Sequence, residues 1–229
     1  MNQNQTPTLG DGFQTATSDL YQRLHSDIIS GKIEPGKRLV RRTLAAEFGL
    51  SHIPVTEALI RLEQDGLVES APMHGARVRR ISDKAIREEQ VLREAIECHC
   101  ARLCAEKAHK ADLEVLRALA EEVDERMCQK AKNPDAGNQK HMEFHLELAK
   151  RTGIDLLAEE LRRIGFIELM RLNWTNATVY HDMPPRWHQS LVEALASGKP
   201  AHAETAMRKH VRFGAERLLD AFKKTDKGS

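Results

Sequence analysis

Eleven histidines in 229 residues are many, and four of them stand where they can do chemistry together. His141 and His145 are four apart, so on a helix both imidazoles leave from one face. His188 and His210 follow in two later segments with helical spacing. Imidazoles from three helices can converge inside a bundle on one divalent ion, since a neutral ring nitrogen is a good ligand for borderline metals. The competing reading of an i, i+4 histidine pair is a solvated helix face, and spacing alone leaves both open. A hydrolytic metal site would add a general base, as in a His-Glu-x-x-His helix. His141-Met142-Glu143-Phe144-His145 puts Glu143 off the shared face, so a metal-dependent hydrolase is a distant alternative. His25, His99, His109, His181 and His202 have no comparable pairing. Cys100 and Cys104 are also i, i+4, and read as small core packers.

The elements that carry these residues are helical. Beyond Ile81-Ser82-Asp83, 3.6-residue apolar spacing runs through 84–110, 111–130, 138–152, 154–176, 184–197 and 200–223. Breaks fall at Asn133–Gly137, Thr152-Gly153, Pro184-Pro185 and Ser197–Pro200. An all-α bundle of about six helices is expected.

The first third reads differently. Leu20, Leu24 and Ile28 predict a helix over 18–30 with Ser18 as N-cap, stopped by Gly31. Pro35-Gly36 marks a tight bend, and short helices fit 41–48 and the stretch from Ser51 to Gly66. Leu67–Ser70, Pro72–Gly75 and Ala76–Val78 read as strand, turn, strand. Three helices and a β-hairpin describe a winged helix-turn-helix. The fold class is therefore mainly α, an N-terminal winged helix-turn-helix domain plus a C-terminal all-α helical bundle. We divide the chain into a mobile tail (1–17), the winged helix (18–80), a linker (81–84), the bundle (85–223) and a short tail (224–229).

Charge agrees with a polyanion partner for the winged helix. The chain is nearly neutral, at +1, yet Lys37, Arg38, Arg41 and Arg42 lie together with no acid between them. Arg77, Arg79 and Arg80 form a second cluster. Residues 20–80 hold ten Lys and Arg against seven Asp and Glu. Phosphate contacts position a protein on DNA, while base edges specify the site. Arg41 and Arg42 fall where phosphates pass; Ser51, His52, Ile53 and Thr56, on the second helix of the turn, face the groove. His74 and Gly75, at the hairpin tip, reach toward the minor groove. With 41% apolar and 30% charged residues the chain can bury a core, which excludes a disordered protein. No run approaches the roughly 18 apolar residues of a membrane span, and the polar N-terminus lacks the basic and apolar regions of a signal peptide. A reduced, cytoplasmic setting without a membrane partner is expected.

Residues 20–80 resemble the winged-helix domain of the GntR family of bacterial regulators. The matching stretches are Ile28–Leu39, Leu44-Ala45-Ala46-Glu47-Phe48-Gly49-Leu50-Ser51, Pro54–Leu59, Gly66-Leu67-Val68 and Gly75–Val78. Arg42 falls where members carry a DNA-contacting arginine. The family's usual Ser-Arg-Thr-Pro-Val-Arg is here Ser51-His52-Ile53-Pro54-Val55-Thr56, so His52 and Thr56 stand in place of both arginines. Residues 85–223 resemble the FCD-type ligand-binding domain of the FadR subfamily, through Phe144-His145 with Leu148, His188 with Leu191–Gly198, and Ala203 to His210. The resemblance implies a metal held by His145, His188 and His210, with His141 where members carry Asp. Either His141 is the fourth ligand or it swings away and water fills the position. Four neutral imidazoles favour zinc, or nickel, over magnesium or manganese. Arg93, in Leu92-Arg93-Glu94-Ala95-Ile96-Glu97, is the candidate to bind an effector carboxylate bidentately, or else it pairs with Glu97 at i, i+4. The function implied is a homodimeric transcription repressor on double-stranded operator DNA, answering to a small organic acid at a metal site. The alternative keeps the DNA-binding half and makes the metal structural.

These assignments separate two kinds of DNA contact. Arg41→Ala is expected to weaken all sequences alike and to flatten the salt dependence of binding. His52→Ala is expected to change which operator is preferred, by about 1–3 kcal/mol per lost base contact. Competitive titrations at two salt concentrations measure both, and an unchanged operator preference in His52→Ala refutes the placement of the recognition helix.

Overall fold

The computed structural model describes residues 9–71, 75–80, 82–107, 109–128, 134–174 and 184–225. The chain divides into two compact units, Met1–Arg80 and Ile81–Ser229.

The first unit begins with α1 (Leu9–Ile29). Its Leu20, Leu24 and Ile28 are buried, as the i, i+4, i+8 spacing requires. The helix starts earlier than predicted, so residues 9–17, expected as tail, are helical and Ser18 is not its N-cap. At the inner end of that stretch Thr17 is buried and donates its hydroxyl to Glu57 at 3.3 Å, a tertiary partner that local periodicity does not reveal. Next come β1 (Arg38–Leu39), α2 (Arg41–Phe48) and α3 (His52–Gln64). Gly49 ends α2 in the left-handed region at φ 63°, where a glycine avoids the Cβ clash. Ser51 occupies the N-cap position of α3, but its side chain makes no capping hydrogen bond. Val55, Ala58, Leu59 and Leu62 form the buried face of α3, which packs on α1.

β2 (Val68–Ala71) and β3 (Gly75–Val78) are the expected hairpin. The strand order is β1-β3-β2, antiparallel throughout, with Leu39 opposite Ala76 and Val68 opposite Val78. β1 was not legible, because two residues cannot show an alternation. Gly36 feeds β1 through a turn at φ 84° and donates its N–H to the Val78 carbonyl at 2.8 Å.

Among the described residues the second unit is all helical: α4 (Asp83–Lys107), α5 (Lys110–Cys128), α6 (Pro134–Lys150), α7 (Asp155–Trp174), α8 (Trp187–Ala196) and α9 (Pro200–Thr225). α4 begins inside the stretch expected as a linker, and α9 runs past residue 223. α4 packs on α9, α5 on α6 and α8, and α6 on α7. Their shared core includes Cys100, Cys104, Phe144, Leu148, Leu191, Val192 and Met207. Burial pushes the Cys100 thiol up to about 12 and that of Cys104 to about 11, which suits packing rather than reactivity.

Leu62 is fully buried where α3 meets the first unit's core. Leu62→Ala is expected to destabilise that unit by about 2–5 kcal/mol, read by denaturant unfolding, without moving the unfolding of the helical bundle.

Candidate metal centre

His141 and His145 project from α6, His188 from the first turn of α8 and His210 from α9. All four are buried, and one ring nitrogen from each lies within 4.8 Å of the others. His141 Nε2 is 3.0 Å from His145 Nε2, which is 3.2 Å from His210 Nε2. Nitrogens each about 2.0–2.1 Å from one tetrahedral ion stand roughly 3.3 Å apart, so this spacing fits a ligand set. The solvated-face reading of the i, i+4 pair is excluded by burial.

Carboxylates behind the ring orient two of the four. Asp124 on α5 accepts from His188 Nδ1 at 2.7 Å, which turns Nε2 inward. That Nε2 is buried and has no hydrogen-bond partner among the described residues. Such an orphaned lone pair is costly unless a ligand meets it. Asp124 also accepts the backbone N–H of His188 at 3.0 Å and of Gln189 at 3.1 Å. It thereby caps α8, whose own N-cap residue Arg186 makes no side-chain cap and sits at φ 59°. Glu97 on α4 places Oε2 against His145 Nδ1 and its other oxygen against Arg93. Arg93 also donates to Glu168 on α7 at 2.6 Å, and Gln90 donates to the same Glu168 oxygen at 3.5 Å. Arg93 therefore realises its i, i+4 pairing with Glu97 and gains a second carboxylate. Arg171, almost wholly buried, pairs with Glu89 at 2.7 Å.

Burial and mutual repulsion disfavour charge on three of the rings, His141, His188 and His210. Burial, then the neighbouring imidazoles, pushes the His141 and His210 pKa values well below the usual 6.5. Burial lowers that of His188 too, although Asp124 opposes it. For Glu97 burial pushes upward, but the Arg93 guanidinium and the His145 ring beside it outweigh burial and hold the carboxyl at about 2. A cavity of about 20 Å³ adjoins the rings, lined by Arg93, Glu97, His141, His145, Glu168 and Leu172 among others. That is room for about one water molecule.

In the other unit Arg41, Arg42, Ser51, His52 and Ile53 are exposed on α2, α3 and the turn between them. The Thr56 hydroxyl donates to the His52 carbonyl at 2.8 Å, so its proton is committed to the helix. Gly75 opens β3 at φ 72°; His74 lies outside the described residues. Sequence reasoning missed Asp124 and Glu168 as partners. Asp124 sits 64 residues from His188, and no local pattern marks either.

The family model for the bacterial regulatory proteins of the gntR family matches residues 16–78, and the FCD domain model matches residues 90–213, more than half of the chain. The chain belongs to the GntR family. It is a DNA-binding transcription regulator with an FCD effector domain, and not an enzyme. It is 27% identical over 203 residues, 86% of each chain, to a probable D-xylose utilization operon transcriptional repressor of Paenarthrobacter nicotinovorans. Over 92 residues, 40% of each chain, it is 36% identical to the HTH-type transcriptional repressor RspR of Escherichia coli. Its fold is shared with E. coli McbR/YncC at TM-score 0.70 and 20% identity, covering 91% of this chain and 98% of that one. A putative GntR regulator from Rhodococcus sp. RHA1 gives 0.69 at 22% identity, covering 90% and 98%. Among the described residues no helix is long and apolar enough to cross a membrane.

The depressed histidines carry a pH signature. Below about 6.5 the unfolded chain binds protons that folded His141, His188 and His210 refuse, so stability is full above that pH and falls as pH drops. A second loss follows below about 4.5, as unfolded Glu97 protonates while its folded carboxyl waits until about 2. Melting temperature of chelator-treated protein is expected to decline from pH 7 to 5; a flat profile refutes neutral, buried rings.

Proposed function

We propose that this GntR regulator is a homodimeric repressor of the FadR type whose bundle holds a divalent transition metal and answers to a small carboxylate. One observation carries the metal reading: four buried imidazoles share a space, and the inward Nε2 of His188 has no hydrogen-bond partner among the described residues. His141, His145, His188 and His210 would hold the ion. All-nitrogen donation favours zinc or nickel over magnesium or manganese. The ion would supply a positive centre for an anionic ligand. Asp124 and Glu97 fix the tautomers of His188 and His145, and so prepare the site before any ion binds.

The carboxylate reading rests on Arg93, whose guanidinium lines the cavity beside His141 and His145. Arg93 is already engaged by Glu97 and Glu168, and the cavity takes about one water. An effector carboxylate would therefore replace Glu168 on Arg93 and push α7 outward. That is the differential interaction a population shift needs, since a ligand indifferent to both states shifts neither. The same small cavity favours the second reading, in which the metal is structural and Glu168 stays in place.

On the DNA side Arg41 and Arg42 would hold phosphates, with Ser51, His52, Ile53 and Thr56 toward the major groove and His74 and Gly75 at the wing. One winged helix reads few base pairs, so a homodimer on paired half-sites is expected. The repressor sense follows the names of the two relatives above.

His188→Ala is expected to lose bound metal by elemental analysis and to lose any organic-acid-induced release from DNA, while operator affinity persists. Full metal content in that variant refutes the ligand set. Release by an organic acid that survives complete metal removal refutes the metal-dependent effector site.

A further inference from the structure

The exposed face of α3 is unusual for a helix that meets a polyanion. Ile53 is 63% exposed and Ile60, two turns on, is 47% exposed. A single exposed apolar side chain is ordinary. Here two lie on one face, and most polar groups around them are already occupied. Thr56, between them, donates its hydroxyl to the His52 carbonyl at 2.8 Å. Glu57 accepts from Thr17 at 3.3 Å. Arg61 lies over the Tyr21 ring, 4.2 Å from its centroid. From Ser51 to Ile60 there is no Lys or Arg. Ser51 and His52 remain as the polar groups of the first turn.

The surroundings select the occupant. Lys37, Arg41 and Arg42 are exposed on the turn and helix that precede α3, with no acid among residues 37–42. A basic flank beside an apolar face fits duplex DNA, whose major groove offers one apolar feature, the 5-methyl group of thymine. We propose that Ile53, with Ile60 beyond it, reads thymine methyl groups, so that operator choice rests on methyl packing and His52 rather than on arginine–guanine pairs. The operator half-sites are then rich in thymine on the strand facing α3. This rests on α3 being the groove-reading helix.

The test uses full-length protein and a duplex selected by it from a random-sequence library. Each thymidine of the recovered site is replaced in turn by deoxyuridine, which removes only the methyl group. Wild-type protein is expected to lose roughly fourfold in affinity at one or two thymines, the contribution of one buried methyl-sized group. Ile53→Ala is expected to bind the thymine site more weakly and to show no further loss with uracil at the position Ile53 reads. Because Ile53 is exposed, an unchanged melting temperature verifies the variant's fold. The proposal is overturned if no uracil substitution weakens wild-type binding, or if Ile53→Ala stays as sensitive as wild type. It is equally overturned if Ile53→Ala alters sedimentation mass and leaves DNA affinity intact, because the face is then a contact between copies. Failure of the underlying reading looks different: His52→Ala and Arg41→Ala would then both leave DNA binding unchanged. Loss in those two variants with every uracil arm neutral refutes methyl reading alone.

Discussion

A neutral imidazole buried in a protein can turn a lone pair inward only if its other nitrogen finds an acceptor. Asp124 is that acceptor for His188, and much of the bundle depends on it. The carboxylate sits on α5, the ring on α8, and the same oxygens take the first backbone amides of α8. Without it, α8 would start at a residue in the left-handed region with no cap of its own. One ionised side chain thus fixes a helix end, a tautomer and the packing of α5 on α8. Glu97 repeats the device on α4 for His145, and there the charge is balanced a second time by Arg93. The buried polar groups form a chain from Glu168 through Arg93 and Glu97 to His145, with every link between different helices except Arg93–Glu97.

This explains which parts of the molecule could be read from the sequence. Helix spacing of apolar residues survives folding, so the six bundle helices and the buried faces of α1 and α3 were legible to within a few residues. The four histidines were legible as a set only through the resemblance to the FCD-type domain, because the i, i+4 spacing of His141 and His145 by itself also fits a solvated face. Their orienting carboxylates were not. Acidic residues are common, and only the tertiary path that brings residue 124 to residue 188 distinguishes Asp124 from its neighbours. The burial of Thr17 was hidden for the same reason, since its partner Glu57 is 40 residues away. Arg93 was legible as a charged residue of interest, but Glu168, which now decides what Arg93 can do, lies 75 residues on.

The two units solve opposite electrostatic problems. The bundle buries its polar and ionised groups and holds each against partners, Arg93 between Glu97 and Glu168 and Asp124 against His188. The winged helix leaves its cations in water along one edge and keeps apolar side chains beside them. A polyanion can release counterions at the first surface and dehydrate at the second. On the proposed reading, His52 and Thr56 in place of the family's arginines would alter the balance between those two contributions rather than the fold, because both positions are off the core.

The Trp187 indole lies nearly parallel to the His210 ring, with centroids 5.6 Å apart and planes at 19°. It is one of two tryptophans in the chain. An indole in that position is an intrinsic optical probe of the four-histidine space. Whatever changes the charge or motion of His210 alters the local field at Trp187 and so its emission. The regulator thus carries its own fluorophore against the candidate ligand set, and occupancy can be followed in the intact protein without a label.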